Sequence, residues 1–214
     1  MMSIGVGRSS PAAHSTCRVD DVLILVRHAR TALNAEGRLQ GRTDAPLDDE
    51  GKRQAIALAE RLELTRPTRI LTSPLMRAQM TAGAIAERHG LTPETDADWI
   101  ELDYGELEGV PIGDVDSSVW RSWRDDPEFA PVGGESFAHL DRRVHDACRR
   151  LASTAGDDDV IVVSHVSPIK SAVAWSIGAS TSIVHRMRLG QAAISRIDLS
   201  GASPVLVSFN ESPG

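Results

Sequence analysis

Arg27 and His28 are the pair of neighbouring residues in this sequence that is best placed to do chemistry. They follow a short apolar run, Val22 to Val26, which is typical of a fully buried strand. Ligands of open α/β sheets bind at the carboxyl ends of the strands, so a guanidinium and an imidazole at this point could meet an anion. An arginine offers a planar fork that matches phosphate or carboxylate, and an imidazole can bind, carry protons or attack. Taken alone, the pair also fits a strand that ends in two solvated polar residues.

Two more junctions between a strand and a helix are predicted to present basic side chains. Arg69 to Thr72 is a short strand, and Ser73-Pro74 then predicts a helix start that places Arg77 in the first helical turn. Val160 to Val163 is another buried strand that delivers His165, and Ser167-Pro168 predicts the start of the next helix. Because right-handed crossovers bring the carboxyl ends of parallel strands to one edge, we expect these side chains to meet.

The remaining pattern alternates helices with strands and shows no internal repeat. Asp48 is the predicted N-cap of a helix from Asp49 to Leu64, and another helix runs from Phe137 to Leu151, with Gly156-Asp157-Asp158 turning the chain after it. The apolar face of the first helix is predicted to comprise Ala55, Ile56, Ala59 and Leu62. Late strands are predicted at Val184 to Leu189, Ala193 to Leu199 and Val205 to Phe209. The fold class is therefore α/β, a three-layer sandwich with a mostly parallel central sheet and helices on both faces.

The segment from Arg27 to Asn34 resembles the signature of the histidine phosphatase superfamily, the phosphoglycerate mutase-like or branch-1 family. That signature is Arg-His-Gly-Glu/Gln-Thr with Asn three residues further on, and this chain departs from it at Ala29 and Arg30. Further segments resemble the family in the same order: Gly37 to Leu47, Ser73 to Ala78, Glu101 to Gly109, and Val162 to His165. The resemblance covers roughly residues 21 to 200 and implies the phosphoglycerate mutase-like fold.

The resemblance also implies roles for individual residues. His28 would be a nucleophile that becomes a phosphohistidine, and Glu101 would be the general acid and base. A protonated His165 would bind the phosphate together with the remaining substrate-binding residues, which are Arg27, Thr31, Asn34, Gln40, Gly41 and Arg77. The nearby carboxylates of Asp103, Glu106 and Glu108 leave the choice of acid open. Arg30, Arg42 and Lys170 are either solvated charges or contacts to a second anionic group of the substrate.

These roles describe a metal-independent phosphatase of a small phosphorylated metabolite, with no cofactor. The alternative within the same chemistry is a cofactor-dependent phosphoglycerate mutase, and a different class is a non-catalytic binder of phosphorylated ligands. Gly109 to Glu135 is the evident cap over the site, and its small size favours hydrolysis. The region around Trp120 and Trp123 is expected to be irregular and to line the pocket mouth. No metal site is predicted, because the other histidines lack metal-ligand spacing; they are His14, His89, His139, His145 and His185.

Composition restricts the location and the partners. The chain has 214 residues, 41% hydrophobic and 25% charged, with a net charge of -7 and no Lys/Arg-rich block, which argues against nucleic-acid and membrane-surface binding. Residues 1–20 are predicted to be a disordered tail before a single domain over 21–214, and they lack the apolar run of a signal peptide. Cys17 and Cys148 cannot form a disulfide framework, so a reducing cytoplasm is expected. A homodimer is a further possibility.

Overall fold

The computed structural model describes residues 22–154 and 159–212. These residues form six strands and six α-helices. The strands are β1 (Val22–Arg27), β2 (Pro67–Thr72), β3 (Glu94–Thr95), β4 (Asp159–Ser164), β5 (Ile194–Asp198) and β6 (Val205–Glu211). The helices are α1 (Ala32–Ala35), α2 (Asp49–Arg61), α3 (Met76–His89), α4 (Ser117–Asp125), α5 (Phe137–Ser153) and α6 (Val166–Ser176).

The six strands form one sheet in the order β3-β2-β4-β1-β5-β6. The first four strands of this order are parallel, and β5 and β6 are antiparallel to their neighbours. Arg27 lies opposite Ser164 in the register of β1 and β4, and Thr72 lies opposite Val163 in the register of β2 and β4. The carboxyl ends of β1, β2 and β4 therefore meet at one edge, which confirms the mostly parallel arrangement expected from the sequence.

The sheet is covered by helices on both faces. Leu23 and Leu25 of β1 pack into a core that includes residues of α5 and α6, whereas Val22, Ile24 and Val26 pack into a second core that includes residues of α2 and α3. Successive side chains of a strand point to opposite faces, so a strand that is apolar at every position must be buried on both. The three-layer α/β sandwich is thus confirmed.

Three of the predicted elements are different in the structure. Val184 to Leu189 is not a strand, because Thr181–Arg186 forms a 3-10 helix. A strand here could not pair with β1 either, since both edges of β1 are paired, with β4 and β5. Helix α2 ends at Arg61, and Ile56 is 55% exposed, so Leu58 rather than Ile56 contributes to the core. Trp120 and Trp123 lie in helix α4 and not in an irregular segment.

The helix starts were also predicted incorrectly at two junctions. Helix α3 begins at Met76 after Leu75, and α6 begins at Val166 after His165, so Ser73 and Ser167 are not the N-cap residues. The cap at Asp48 and the left-handed Gly90 at the end of α3 are as expected. The predicted disordered tail, with His14 and Cys17, and the turn at Gly156-Asp157-Asp158 lie outside the described residues.

Candidate active site

Arg27, His28, Arg77 and His165 come together at the carboxyl edge of the parallel strands. Arg27 ends β1, His28 follows it, and His165 follows β4. The backbone N–H of His28 donates to the Ser164 carbonyl at 2.9 Å, which ties the first junction to the one after β4. The ring centroids of His28 and His165 are 5.0 Å apart. The pairing of β1 with β4 therefore brings together two histidines that are distant in sequence.

The imidazole of His28 is oriented for attack through one nitrogen. Its Nδ1 lies 2.8 Å from the Ala29 carbonyl oxygen, which can only accept, so Nδ1 carries the proton and Nε2 keeps its lone pair. Burial of the ring lowers the pKa of His28 well below its usual value, and the positive charges of Arg77 and Arg27 lower it further. The residue is therefore a neutral imidazole near pH 7, as a nitrogen nucleophile must be.

The two arginines are held rigidly beside this ring. One terminal nitrogen of Arg27 donates to the Leu189 carbonyl at 2.7 Å, while its buried Nε has no partner among the described residues. Arg77 donates to the carbonyl oxygens of Gly41 at 2.6 Å and Thr43 at 2.8 Å. Burial lowers the pKa of Arg77 to about 10, which leaves it charged at neutral pH. Both guanidiniums also line the same cavity as His28.

His165 is neutral in this arrangement, so the imidazolium expected from the sequence would require a bound anion. Its Nδ1 accepts from Nε of Arg77 at 3.2 Å, so the proton is on Nε2, which donates to the Ser73 hydroxyl at 2.7 Å. Burial lowers the pKa of His165 well below its usual value, with further lowering by Arg77, His28 and Arg27. A bound phosphate dianion would act in the opposite direction, because a nearby negative charge favours protonation.

The loop after α1 supplies neutral donors. The Asn34 side-chain oxygen accepts from the backbone of Thr31 at 3.2 Å, and the Gln40 oxygen accepts from the Thr31 hydroxyl at 3.1 Å. These bonds leave both amide nitrogens available, and Nε2 of Gln40 is buried without a partner in the described part of the chain. Thr31 is fully buried and does not line the cavity, so the structure places it as a support for Asn34 and Gln40 and not as a substrate contact.

Glu101 is the carboxylate that lines the cavity. Its Oε1 accepts from the backbone N–H groups of Leu102 at 2.8 Å and Ser167 at 3.2 Å, and its Oε2 accepts from that of Val166 at 3.1 Å. The first turn of α6 is thus capped by a side chain from another segment. Oε2 accepts only one of these three hydrogen bonds, so it is the oxygen that can more readily carry a proton.

The competing charged groups have other partners. Asp103 pairs with Arg42 at 3.3 Å, and Glu108 accepts from the backbone N–H of Arg42 at 2.6 Å. Glu106 is exposed. Arg30 donates to Asp48 at 2.8 Å. Of the three basic residues whose contacts the sequence left open, Lys170 is the one that lines the cavity.

The cavity has a volume of about 310 Å³ and is lined by two polar residues that were not predicted from the sequence. These are Arg38, from the matching segment after α1, and Tyr104, from the segment that carries Glu101. Their position in segments that resemble the family could have indicated them. Several other polar residues lie in the same segments, so position alone did not single them out. Trp120 lines the cavity from the cap, as expected of the pocket mouth.

No group of three or more metal-ligating side chains occurs within residues 22–154 and 159–212. In the same ranges, no helix is long and apolar enough to cross a bilayer.

A neutral imidazole beside two guanidiniums, at the carboxyl edge of a parallel sheet, is suited to an anionic group such as a phosphoryl group. The chain belongs to the histidine phosphatase superfamily (branch 1), which matches residues 23–212.

Known proteins resemble the chain over most of its length. A probable phosphoglycerate mutase of Yersinia pestis is 36% identical, with 86% of this chain and 87% of that protein covered. A bifunctional protein of Mycobacterium tuberculosis is 34% identical over 86% of this chain, and the chain spans 52% of its length.

Among solved structures, a mycobacterial glucosyl-3-phosphoglycerate phosphatase has a TM-score of 0.81 at 29% identity, covering 90% of this chain and 100% of that one. A phosphoserine phosphatase of Entamoeba histolytica has a TM-score of 0.82 at 26% identity, covering 89% of this chain and 97% of that one.

Proposed function

We propose that the protein is a metal-independent phosphatase that hydrolyses a small phosphorylated metabolite through a phosphohistidine at His28. The observation that carries this proposal is the state of the His28 ring. One nitrogen is fixed on the Ala29 carbonyl, and the other keeps a lone pair beside two guanidiniums. A site that only binds phosphate, without catalysis, would not need an oriented, unprotonated imidazole.

The first half of the reaction transfers the phosphoryl group to the enzyme. Nε2 of His28 forms a bond to phosphorus while the ester P–O bond breaks and its electron pair goes to the leaving oxygen. Glu101 donates a proton to that oxygen. The spare N–H groups of Arg27 and Arg77 stabilise the charge on the transferring oxygens, and the free amides of Asn34 and Gln40 add neutral donors.

The second half returns the enzyme to its first state. A water molecule gives a proton to the Glu101 carboxylate and attacks phosphorus as the P–N bond breaks. The electron pair returns to Nε2 of His28, and inorganic phosphate leaves. The guanidinium groups supply the positive charge that a cation supplies in other phosphatases.

The cap and the similar proteins favour hydrolysis over mutase activity. Between Gly109 and Glu135 the cap contains only a short 3-10 helix at Ile112–Asp114 and helix α4. Such a cap leaves the phosphohistidine open to water. The solved structures described above are of phosphatases, whereas the name of the Yersinia relative supports the mutase alternative.

Replacing His28 by Ala should abolish turnover, because no other imidazole among the described residues lines the cavity and could accept the phosphoryl group. Phosphate release is measured in EDTA with a panel of sugar phosphates, phosphoglycerates and nucleotides, and rapid quenching of the wild type should leave acid-labile, base-stable phosphate on His28. His139→Ala, which removes an exposed imidazole, is the matched control and should keep full activity. Retention of more than a few per cent of activity by His28→Ala would show that His28 is not the nucleophile.

Labelled 3-phosphoglycerate distinguishes the two activities within the family. With or without 2,3-bisphosphoglycerate, we expect inorganic phosphate as the main product wherever this compound is turned over. Rapid formation of 2-phosphoglycerate that depends on the bisphosphate, without phosphate release, would show that the protein is a mutase.

A further inference from the structure

A second cavity adjoins the catalytic one. Its volume is about 200 Å³, and it shares Tyr104, Trp120, Val166 and Lys170 with the catalytic cavity as common lining residues. A substrate whose phosphate lies beside His28 could therefore extend into it. An apolar cavity of roughly 150 Å³ is sufficient for a benzene ring, so this second cavity has room for one ring.

Four of the nine residues that line the second cavity are Tyr, Trp or Phe. Trp123 contacts Trp120 at a centroid distance of 5.4 Å and lies edge-on to Tyr104 at 5.6 Å and to Phe137 at 6.4 Å. Trp123 is 2% exposed, and its indole N–H has no hydrogen-bond partner in the described ranges. Aromatic rings pack well edge-on or offset against one another, so this wall can accept a further ring.

Lys170 lies where the two cavities join. It makes no hydrogen bond or ion pair with another residue described in the structure. Its neighbour of opposite charge is Glu101, whose oxygens are already engaged by three backbone N–H groups. Partial burial lowers the pKa of Lys170. Arg30 and Arg42, in contrast, are paired with carboxylates.

We propose that the second cavity binds the leaving group of the substrate, and that this group is an alcohol carrying a ring and a carboxylate. The inference rests on the proposed phosphatase function and specifies its substrate class. The ring packs among Tyr104, Trp120 and Trp123, and the carboxylate pairs with the ammonium of Lys170. A ring supplies the apolar area that these walls can cover, and a carboxylate supplies an ion-pair partner, which Lys170 does not have among the described residues.

Two pairs of substrates test the two parts of this proposal. Benzyl phosphate and ethyl phosphate differ in the ring, and both release alcohols that are poor leaving groups. The 4-carboxybenzyl and 4-carbamoylbenzyl phosphates differ in charge at constant shape. We expect kcat/KM to be higher for benzyl than for ethyl phosphate, and roughly 10-fold or more higher for the carboxylate than for the amide, in line with a hydrogen bond to a charged group.

Lys170→Met should reduce the preference for the carboxylate to near unity. Lys52, the other lysine of the chain, is exposed and pairs with Asp49, so Lys52→Met is the matched control and should leave the preference intact. Lys170→Arg keeps the charge and should retain a preference. Thermal unfolding of each variant shows whether it is folded.

Binding of the non-hydrolysable 2-arylethylphosphonates separates this inference from the proposed function. Calorimetry should show tighter binding of the 4-carboxy than of the 4-carbamoyl compound by the wild type, and equal binding by Lys170→Met. Equal binding of both compounds by the wild type would overturn the inference even if phosphate esters are hydrolysed. Discrimination between the phosphonates without hydrolysis of any ester would support the second cavity and contradict the phosphatase.

Discussion

The two oxygens of the Glu101 carboxylate differ in their hydrogen bonds. Oε1 accepts two backbone hydrogen bonds, whereas Oε2 accepts one and can accept a proton as well. Glutamine in this position keeps an acceptor oxygen but cannot donate a proton to a leaving alkoxide. Substitution by glutamine therefore tests the proton transfer by Glu101 separately from its role in capping α6.

Glu101→Gln should lower turnover by about 10²- to 10⁴-fold for alkyl phosphates and less for an aryl phosphate, whose phenolate leaves without protonation. The measurement compares kcat for both substrate types in the wild type and the variant. Glu106→Gln removes an exposed carboxylate from the same segment and should have no effect. If Asp103→Asn shows the leaving-group dependence instead, the acid is not Glu101.

The sequence predicted which residues gather at the site better than it predicted their states. Arg27, His28, Arg77 and His165 were recognisable because each lies at the end of a strand or shortly after it, and the sheet topology then brings them together. The neutral form of His165 was not predictable, since it depends on Arg77 and Ser73 as hydrogen-bond partners. The burial of Thr31 similarly depends on its contacts with Asn34 and Gln40.

Elements were predictable where local sequence decides them. The Asp48 cap and the Gly90 stop depend on neighbouring residues, and both are present. The starts of α3 and α6 were misplaced. The Ser73 hydroxyl accepts from the backbone N–H of Leu75 and also contacts His165, while the N–H groups of Val166 and Ser167 donate to Glu101. A tertiary partner therefore replaces the local cap of α6, and the Ser73 hydroxyl has a tertiary contact in addition to its local one.

Helix α2 depends on a close approach of its first turn to the backbone after His28. A Cβ atom at Gly51 would lie 2.0 Å from the Arg30 carbonyl oxygen, whereas one at Gly83, on the exposed side of α3, would contact nothing within 4 Å. Alanine has a higher helix propensity than glycine by ~1 kcal/mol.

Gly51→Ala should therefore lower the free energy of unfolding by more than 1 kcal/mol, a cost of the order seen for overpacking, and should also lower activity by displacing the His28 loop. Gly83→Ala is the matched control and should stabilise the protein by up to ~1 kcal/mol without changing activity. Urea unfolding of the two variants gives both values. Equal stability changes would mean that α2 can shift away from Arg30 at little cost.

For the molecule as a whole, buried neutral histidines link stability to pH. The folded-state pKa values of His28 and His165 are lowered, while the same imidazoles in the unfolded chain titrate near 6.5. Below about pH 6.5 the unfolded chain therefore binds protons that the folded protein does not bind. Protons then favour unfolding, and stability is retained above this pH and lost as the pH falls.

The free energy of unfolding should decrease from pH 7 to pH 5, by up to ~1.4 kcal/mol per pH unit for each such histidine. Urea unfolding at several pH values measures the slope. His28→Gln removes one of the titrating groups and should flatten the profile. Parallel profiles for the wild type and this variant would show that His28 is not the source of the dependence.

The cytoplasmic location and the homodimer expected from the sequence stay predictions. So does the single-domain boundary at residue 21, whose tail lies outside the described residues.

The pairing of β1 with β4 also determines when the site can exist during synthesis. Leu23 lies opposite Val160 in that pair, so most of the chain must be made before β1 has this neighbour, and β5 follows later still. Until then a strand that is apolar on both faces has both edges unpaired, which is the condition that favours association with other chains. His28 is thus translated early, but its surroundings are complete only after β4 and β5 have been made.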